Sequence, residues 1–370
     1  VPRILHTADW QIGRIYNQFD PDDGALLADA RFTVVERIAA LANENAVDAV
    51  FVAGDVFDAQ GVSDRTIHRL FNAMQAFPGH WILIPGNHDA ALAESVWTRA
   101  ARLKAIPQNA HVCLTTQPLL LEEIGIAVLP APLTQRHTYN DLTEWFASAE
   151  TPAHLLRIGL AHGSVQGILA EGIDSTNPIA GDRARKARLD YLALGDWHGT
   201  KCIDARTWYS GTPETDRFKA NASGQVLLVE LNKDTQPQVR EIPTTQYRWK
   251  SLQSRLEVPS DVDELLRTLD SCSANEVVEL ELSGRCNLAS QRRIEESIDQ
   301  ARGRLRALLL DDSQLRMEPG REDIDALHVD GYVGDVINDL RAVPPGTDAE
   351  TARDALALLA RLLDEDAGAR

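Results

Sequence analysis

The chain opens by repeating one pattern three times: a short apolar run, then a polar turn carrying a carboxylate or an amide. The first run, Arg3-Ile4-Leu5-His6-Thr7-Ala8, ends at Asp9-Trp10-Gln11. The second spans residues 47–53 and ends at Gly54-Asp55-Val56-Phe57-Asp58. The third, Trp81-Ile82-Leu83-Ile84-Pro85, runs into Gly86-Asn87-His88-Asp89. Between them lie two stripes at helical spacing, Val34, Val35, Ile38, Leu41 and Ala42, then Ile67, Leu70, Phe71 and Met74 behind Ser63 as N-cap. The polar stretch up to about Gly24 reads as a loop. A continuous apolar run such as 47–53 suits a strand covered on both faces. Strand, helix, strand, helix, strand is the layered α/β order, in which ligand sites gather at the carboxyl ends of strands.

The pattern continues further along. Strands are expected near 112–114, 124–129 and 157–161, the last ending at His162-Gly163. Pro130-Ala131-Pro132 is expected to break the chain, and 141–149 to be helical. A strand at 191–194 ends at Gly195-Asp196-Trp197-His198-Gly199, and 226–231 and 239–242 read as closing strands. Past Pro243 the texture changes. Val278, Leu280 and Leu282 alternate with Glu279 and Glu281 as in a half-exposed strand. Ile294, Ile298, Ala301, Leu305 and Leu308 stripe a long helix, and 315–317 reads as a short strand. Pro344-Pro345-Gly346 reads as a hinge and Thr347-Asp348-Ala349-Glu350 as a capping box before a last helix striped by Leu356, Leu359 and Leu363. The expected division is 1–243 for an α/β domain and 244–370 for a smaller α+β region that caps it or contacts substrate or partner.

Composition narrows the function. With 44% hydrophobic and 25% charged residues, the chain is expected to pack a core. No apolar run approaches the roughly 18 residues of a membrane span, so no membrane role is expected. The four cysteines, Cys113, Cys202, Cys272 and Cys286, form no CxxC and are expected to be buried free thiols in a cytoplasmic protein. The formal net charge of −18 excludes a protein that coats polyanions by a cationic surface. It leaves room for nucleic-acid chemistry at a cleft where bound cations supply the positive field.

Five strand ends carry the chemistry: Asp9 with Gln11, Asp55 with Asp58, Asn87 with His88, His162, and Asp196 with His198. They offer oxygen and nitrogen ligands and no thiolate, which suits Mn²⁺, Fe²⁺, Zn²⁺ or Mg²⁺. Two adjacent metals need a bridging carboxylate, and Asp55, on the central strand, is the natural candidate.

In this order the motifs Asp9-x-Gln11, Gly54-Asp55-x-x-Asp58, Gly86-Asn87-His88-Asp89, Ala161-His162-Gly163 and Gly195-Asp196-x-His198 resemble those of calcineurin-like metallophosphoesterases. His6-Thr7-Ala8-Asp9-Trp10 and Gly54-Asp55-Val56-Phe57-Asp58 are similar to the SbcD-type DNA repair nucleases of that superfamily. The resemblance covers roughly 1–243 and implies a layered β-sandwich flanked by helices. It implies site one from Asp9, Gln11, Asp55 and His198, and site two from Asp55, Asn87, His162 and Asp196. His88 is expected to assist the scissile phosphate or the leaving oxygen, with Asp58 as its partner. Gln11 and Asp196 stand where the family commonly has histidine. These two departures occur together in a bacterial clade of manganese-dependent nucleases associated with an Lhr-type helicase, to which Asp9-Trp10-Gln11-Ile12-Gly13-Arg14 is similar. Harder oxygen ligands at both positions favour Mn²⁺. The expectation is a two-metal DNA nuclease of DNA repair, with metal-activated water attacking phosphorus and a helicase or ATPase as possible partner. A phosphodiesterase for small nucleotides and a non-catalytic scaffold are the alternatives. Arg14, Trp10 and Trp197 are candidates for substrate contact. The cluster Arg183, Arg185, Lys186 and Arg188 reads either as a phosphate contact or as a solvated loop.

Overall fold

The strand at Arg3–Thr7 sits inside a six-stranded sheet in which Gln238–Pro243, Gln225–Glu230, Arg3–Thr7, Ala49–Ala53, His80–Ile84 and Ala110–Val112 lie side by side in that order. In this computed structural model the described residues are 1–167, 176–233, 235–318, 331–344, 346 and 348–368. They divide into two compact units, Val1–Tyr247 and Arg248–Arg370.

In the first unit a second six-stranded sheet runs Lys201–Asp204, Thr207–Tyr209, Tyr191–Gly195, Leu156–His162, Ile126–Ala131, Leu119–Leu121. Alternation along each strand sends side chains to two different cores. From the first sheet Leu5, Val50, Val52 and Leu83 pack against Val35 and Ile38 of the helix Pro21–Glu44 and Leu70 of the helix Asp64–Ala73. Their neighbours Ile4, Phe51, Ile82 and Ile84 meet Ile126, Ile158, Leu160 and Tyr191 of the second sheet. The outer face of that sheet buries Leu129, Ala161 and Leu192 against Phe146, Ala184 and Leu189. This is the expected α/β architecture, a β-sandwich with helices on its outside. His6 links the two sheets: Nε2–H donates to the Leu194 carbonyl at 3.1 Å and Nδ1 accepts from the Tyr191 hydroxyl at 3.0 Å. Burial lowers its pKa to about 3, so the ring is neutral.

Three local expectations change. The first helix begins at Pro21, with Pro at its first turn followed by Asp22 and Asp23, so the polar stretch up to Gly24 is partly helical. The strand Ile126–Ala131 runs through Pro130. Its outer neighbour pairs only with Ile126, Ala127 and Val128, which leaves Pro130 at an edge where no N–H is needed. Residues 141–149 form only a short 3₁₀ turn, Glu144–Ala147. Asp141 instead accepts from the Ala180 amide at 2.9 Å and from Arg183 Nη2 at 2.7 Å.

The second unit is a strand–helix–strand–helix–strand unit. Arg248–Leu256, Glu276–Cys286 and Ala307–Met317 form a parallel sheet with Glu276–Cys286 in the middle. The helices Pro259–Asp270 and Leu288–Arg304 bury Val262, Leu265, Leu269, Ile294 and Ile298 against Leu256, Leu280 and Leu282. The first strand and first helix are not apparent in the sequence pattern, and Leu308 belongs to the last strand rather than to the long helix. Leu356, Leu359 and Leu363 of the helix Asp348–Gly368 pack with Ile337, Val333 and Leu340 of the helix Tyr332–Arg341. Pro345 of the expected hinge and Thr347 of the expected capping box lie outside the described residues. All four cysteines are free, with Cys272 and Cys286 buried and Cys202 exposed. Among the described residues no helix is long and apolar enough to cross a membrane.

Candidate metal centre

The loops that follow the strands hold their side chains by unusual backbone. Asp9, Gln11, Asp55 and Asp196 all have positive φ, at 55°, 44°, 52° and 99°. This region costs a side chain about 1–3 kcal/mol and is kept only where surroundings enforce it. Here the first two loops are zipped together: Asp9 N donates to the Gly54 carbonyl at 3.1 Å, Gln11 N to that of Asp55 at 2.9 Å and Asp58 N to that of Ile12 at 3.0 Å. Two glycines permit the close approach. A Cβ on Gly54 would lie 2.3 Å from His162 Nδ1, and one on Gly86 would lie 2.2 Å from Asp55 Oδ1. Asp89, for which the sequence suggests only a turn, clamps the second and third loops. Its carboxylate accepts from the amides of Gly86 at 2.7 Å, Val56 at 3.0 Å and Phe57 at 3.1 Å.

On one flank of Asp55 the expected site-two residues meet. His162 Nε2 lies 2.8 Å from Asn87 Oδ1, 3.6 Å from Asp55 Oδ1 and 3.7 Å from Asp196 Oδ1. His162 Nδ1–H donates to the Ala53 carbonyl at 2.8 Å, which turns Nε2 toward these oxygens. Asp9 belongs to the same buried cluster, since one ligand atom each of Asp9, Asp55 and His162 lie within 4.8 Å of one another. The Asp196 amide faces both Asp9 carboxylate oxygens at 3.3 Å.

The charge balance of this cluster calls for a cation. Burial raises the Asp9 pKa to about 6, with Asp55 and Asp196 adding to the rise against the pull of His198 and His162. Burial likewise raises Asp196. Burial alone would lower His162, but Asp55, Asp9 and Asp196 outweigh it and lift its pKa to about 9. Carboxylates crowded in a dry site draw a proton onto the one base among them, and a divalent ion in that place would displace it. The donor set therefore fits a divalent metal.

The other flank is arranged differently. His198 presents Nδ1 to Asp216 Oδ2 at 3.3 Å and to Arg217 Nη2 at 2.6 Å, while its Nε2 lies 3.3 Å from Gln11 Nε2. A carboxylate behind a histidine is the usual support of a metal ligand. The atom expected to ligate from Gln11 is its amide oxygen, yet that oxygen accepts from Arg14 Nη1 at 2.5 Å.

His88 stands beside Asp55, its amide donating to Asp55 Oδ1 at 2.9 Å and its Nε2 lying 3.9 Å from Asp55 Oδ2. Its Nδ1–H donates to the main-chain carbonyl of Asp58 at 2.7 Å. The partner expected at Asp58 is thus that residue's backbone, set by the loop, and not its carboxylate. Of the substrate candidates, Trp10 is fully buried, donates to Thr7 Oγ1 at 2.9 Å and packs edge-on against Trp81, so it offers no face for stacking. Trp197 is half-buried, with Lys201 and Lys219 Nζ 5.4 and 5.3 Å from its ring. Arg14 is held by Gln11 and by Asp216 at 2.7 Å. In the Arg183–Arg188 cluster, Arg183 is buried on Asp141, and Arg185 and Lys186 pair with Asp182.

Sequence reasoning misses Asp216, Arg31 and Arg217. Asp216 sits in a loop of ordinary turn composition that gives no signal. Arg31 does give one: it lies between Leu27 and Val34, Val35 and Ile38 on the buried stripe of its helix, where a charge must have a partner.

Comparisons with known proteins identify relatives of this chain. The calcineurin-like phosphoesterase family matches residues 2–229. The SbcD subunit of the nuclease SbcCD from Bacillus subtilis (strain 168) is 22% identical over 310 residues, covering 71% of this chain and 75% of that protein. The corresponding SbcCD nuclease subunit from Rhodobacter capsulatus is 36% identical over 97 residues, covering 24% of this chain and 22% of that protein. The crystal structure of TT1561 from Thermus thermophilus aligns with 65% of this chain and 99% of that one, at 13% identity and a TM-score of 0.39, too distant to bear on chemistry.

Proposed function

This chain belongs to the calcineurin-like phosphoesterase family, in its SbcD-like group, and on that premise we propose that it is a two-metal DNA nuclease of DNA repair, active with Mn²⁺. It is a metal-dependent phosphoester hydrolase; DNA as substrate, the second metal and manganese are the proposal. The observation that carries it is the meeting of His162 Nε2 with oxygens of Asn87, Asp55 and Asp196 within 3.7 Å, beside Asp9 and His88.

Asp55, Asn87, His162 and Asp196 would hold one ion, and Asp9, Asp55 and His198, with Gln11 beside them, the other. When bound, the ions activate the attacking water and polarise the phosphate. The rest is done by the chain. Asp55 links both sites from one carboxylate. His88, with Nδ1–H fixed on the Asp58 carbonyl, has Nε2 free of that bond, and the imidazolium form would give its Nε2 proton to the departing oxygen and return to the neutral ring. The oxygen donors of Asp9, Asp55, Asn87 and Asp196 support Mn²⁺ over Zn²⁺.

The test is metal-free protein supplied with Mn²⁺, Mg²⁺ or Zn²⁺ and assayed on linear and circular DNA, single- and double-stranded. Bis-p-nitrophenyl phosphate and cyclic nucleotides run beside them. Manganese-dependent cleavage that includes circular DNA is expected. Hydrolysis of the small diesters alone rejects DNA as substrate, and zinc activity well above manganese rejects the metal.

A further inference from the structure

Three guanidinium groups share one carboxylate next to the Gln11 flank. Asp216 Oδ2 accepts from Arg14 Nη1 at 2.7 Å and from Arg217 Nη2 at 3.1 Å and lies 3.3 Å from Arg31 Nη2, while Oδ1 accepts from Arg217 Nε at 2.9 Å. Asp216 is buried, and Arg31 is wholly buried and pinned by the Tyr16 hydroxyl at 3.1 Å and the Trp10 carbonyl at 3.0 Å. The anchor is therefore rigid. Arg14 alone among the three reaches Gln11, and Nη1 serves both Asp216 and the Gln11 amide oxygen.

We infer that Arg14 is a positioning residue that holds the Gln11 amide oxygen away from site one and so makes that site the weaker of the two metal sites. The inference rests on the two-site reading above. Its physical basis is donor counting. An amide has one oxygen and one NH2, and a guanidinium can only donate. With Oε1 on Arg14, the NH2 group is left facing His198. To offer its oxygen to a cation, the amide must turn over, and its NH2 would then point at the Arg14 guanidinium, donor against donor. The second lone pair of Oε1 does not change this, because the oxygen is turned toward Arg14 and the NH2 end toward His198, so Gln11 joins the ligand set only when the Arg14 contact breaks. The Arg14 side chain is 26% exposed, so it has solvent to leave into. On the His162 flank, among the contacts described, Nε2 meets oxygens of Asn87, Asp55 and Asp196 and no guanidinium competes for them.

The test is calorimetric titration of metal-free protein with Mn²⁺, with manganese counted after desalting, for wild type, Arg14→Leu, Gln11→Ala and the double variant. Wild type is expected to show a tight and a weak class. Arg14→Leu should tighten the weak class about tenfold, the size of one charge-assisted hydrogen bond, and leave the tight class within about twofold. Gln11→Ala alone should move the weak class by less than about threefold. In the double variant the tenfold gain should vanish, which separates release of Gln11 from simple removal of a positive charge. The inference is overturned if Arg14→Leu, folded by circular dichroism, leaves the weak class unchanged. It is equally overturned if Gln11→Ala alone abolishes the weak class, or if the gain persists in the double variant. The Gln11→Ala result stands whether or not Arg14→Leu folds. A wild type that binds no Mn²⁺, or a single ion only, overturns the two-site reading itself.

Discussion

Parallel strands joined by helices occur in both units of this chain, in the first beside antiparallel edge strands, but among the described residues the first gathers its buried charge at strand ends. Its central strands, Ala49–Ala53 and Tyr191–Gly195, are buried at every residue. The second unit's strand Glu276–Cys286 packs Leu280 and Leu282 against the helices, while Glu279 is half-buried and Glu281 exposed on the opposite face, bonded to Ser251 at 3.0 Å and Gln253 at 2.8 Å. A strand covered on both faces has no room for polar side chains except at its ends. Polar groups of neighbouring strands are then forced together, out of water, where each changes the protonation of the next. A strand with a wet face spreads its charges along its length, where water screens them. The same alternation of strand and helix thus yields a reactive cluster in one case and an ordinary surface in the other.

The comparison can be broken at its largest effect first. Asp55→Ala removes the carboxylate common to both proposed sites, and we expect metal retained after desalting and DNA cleavage both to fall below detection. Retention of either ion with that variant would end the claim that strand-end crowding builds the centre. His88→Ala should retain metal and lose turnover by about 10²–10⁴-fold, the usual worth of an acid–base group. In the second unit, the counterpart is a face and not an end: Leu280→Ala, in a fully buried position, should cost about 2–5 kcal/mol in that unit's unfolding by urea while the manganese content stays that of wild type.

The smallest effect concerns the contact between the two sheets. The folded His6 pKa of about 3 lies below its ordinary 6.5, so the unfolded chain takes up the proton first. Its contribution is complete above about pH 6.5 and is lost as the pH falls toward 3. Between about pH 7.5 and pH 5 this amounts to about 2 kcal/mol. Urea midpoints should follow that slope, and His6→Gln should flatten it. An unchanged slope in the variant would mean that acid sensitivity arises elsewhere.

What could be read from the sequence follows from the same contrast. Runs such as 47–53 announce a doubly covered strand by themselves, and the residue after such a run is placed by the strand, so Asp9, Asp55, Asn87, His162 and Asp196 were within reach of local pattern. The second unit's first strand, Arg248–Leu256, carries Lys250, Ser251, Gln253 and Arg255 on a partly wet sheet and gives a weak period. The Gln11–Arg14 contact spans three residues, but its meaning depends on Asp216, which only folding brings near. Asp58 shows a further limit: its position in the motif was informative, while the atom that serves His88 is its main-chain oxygen, which residue identity does not encode.

The left-handed backbone at Asp9, Asp55 and Asp196 has a consequence for how such a centre changes over many generations. Asparagine tolerates that conformation about as well as aspartate, whereas β-branched residues resist it. An Asp→Asn change at Asp9 or Asp55 therefore keeps the backbone these loops need. Each such step alters charge while the loop keeps its shape, so a lineage can retune its preference among metals, or silence the centre, without first having to refold it.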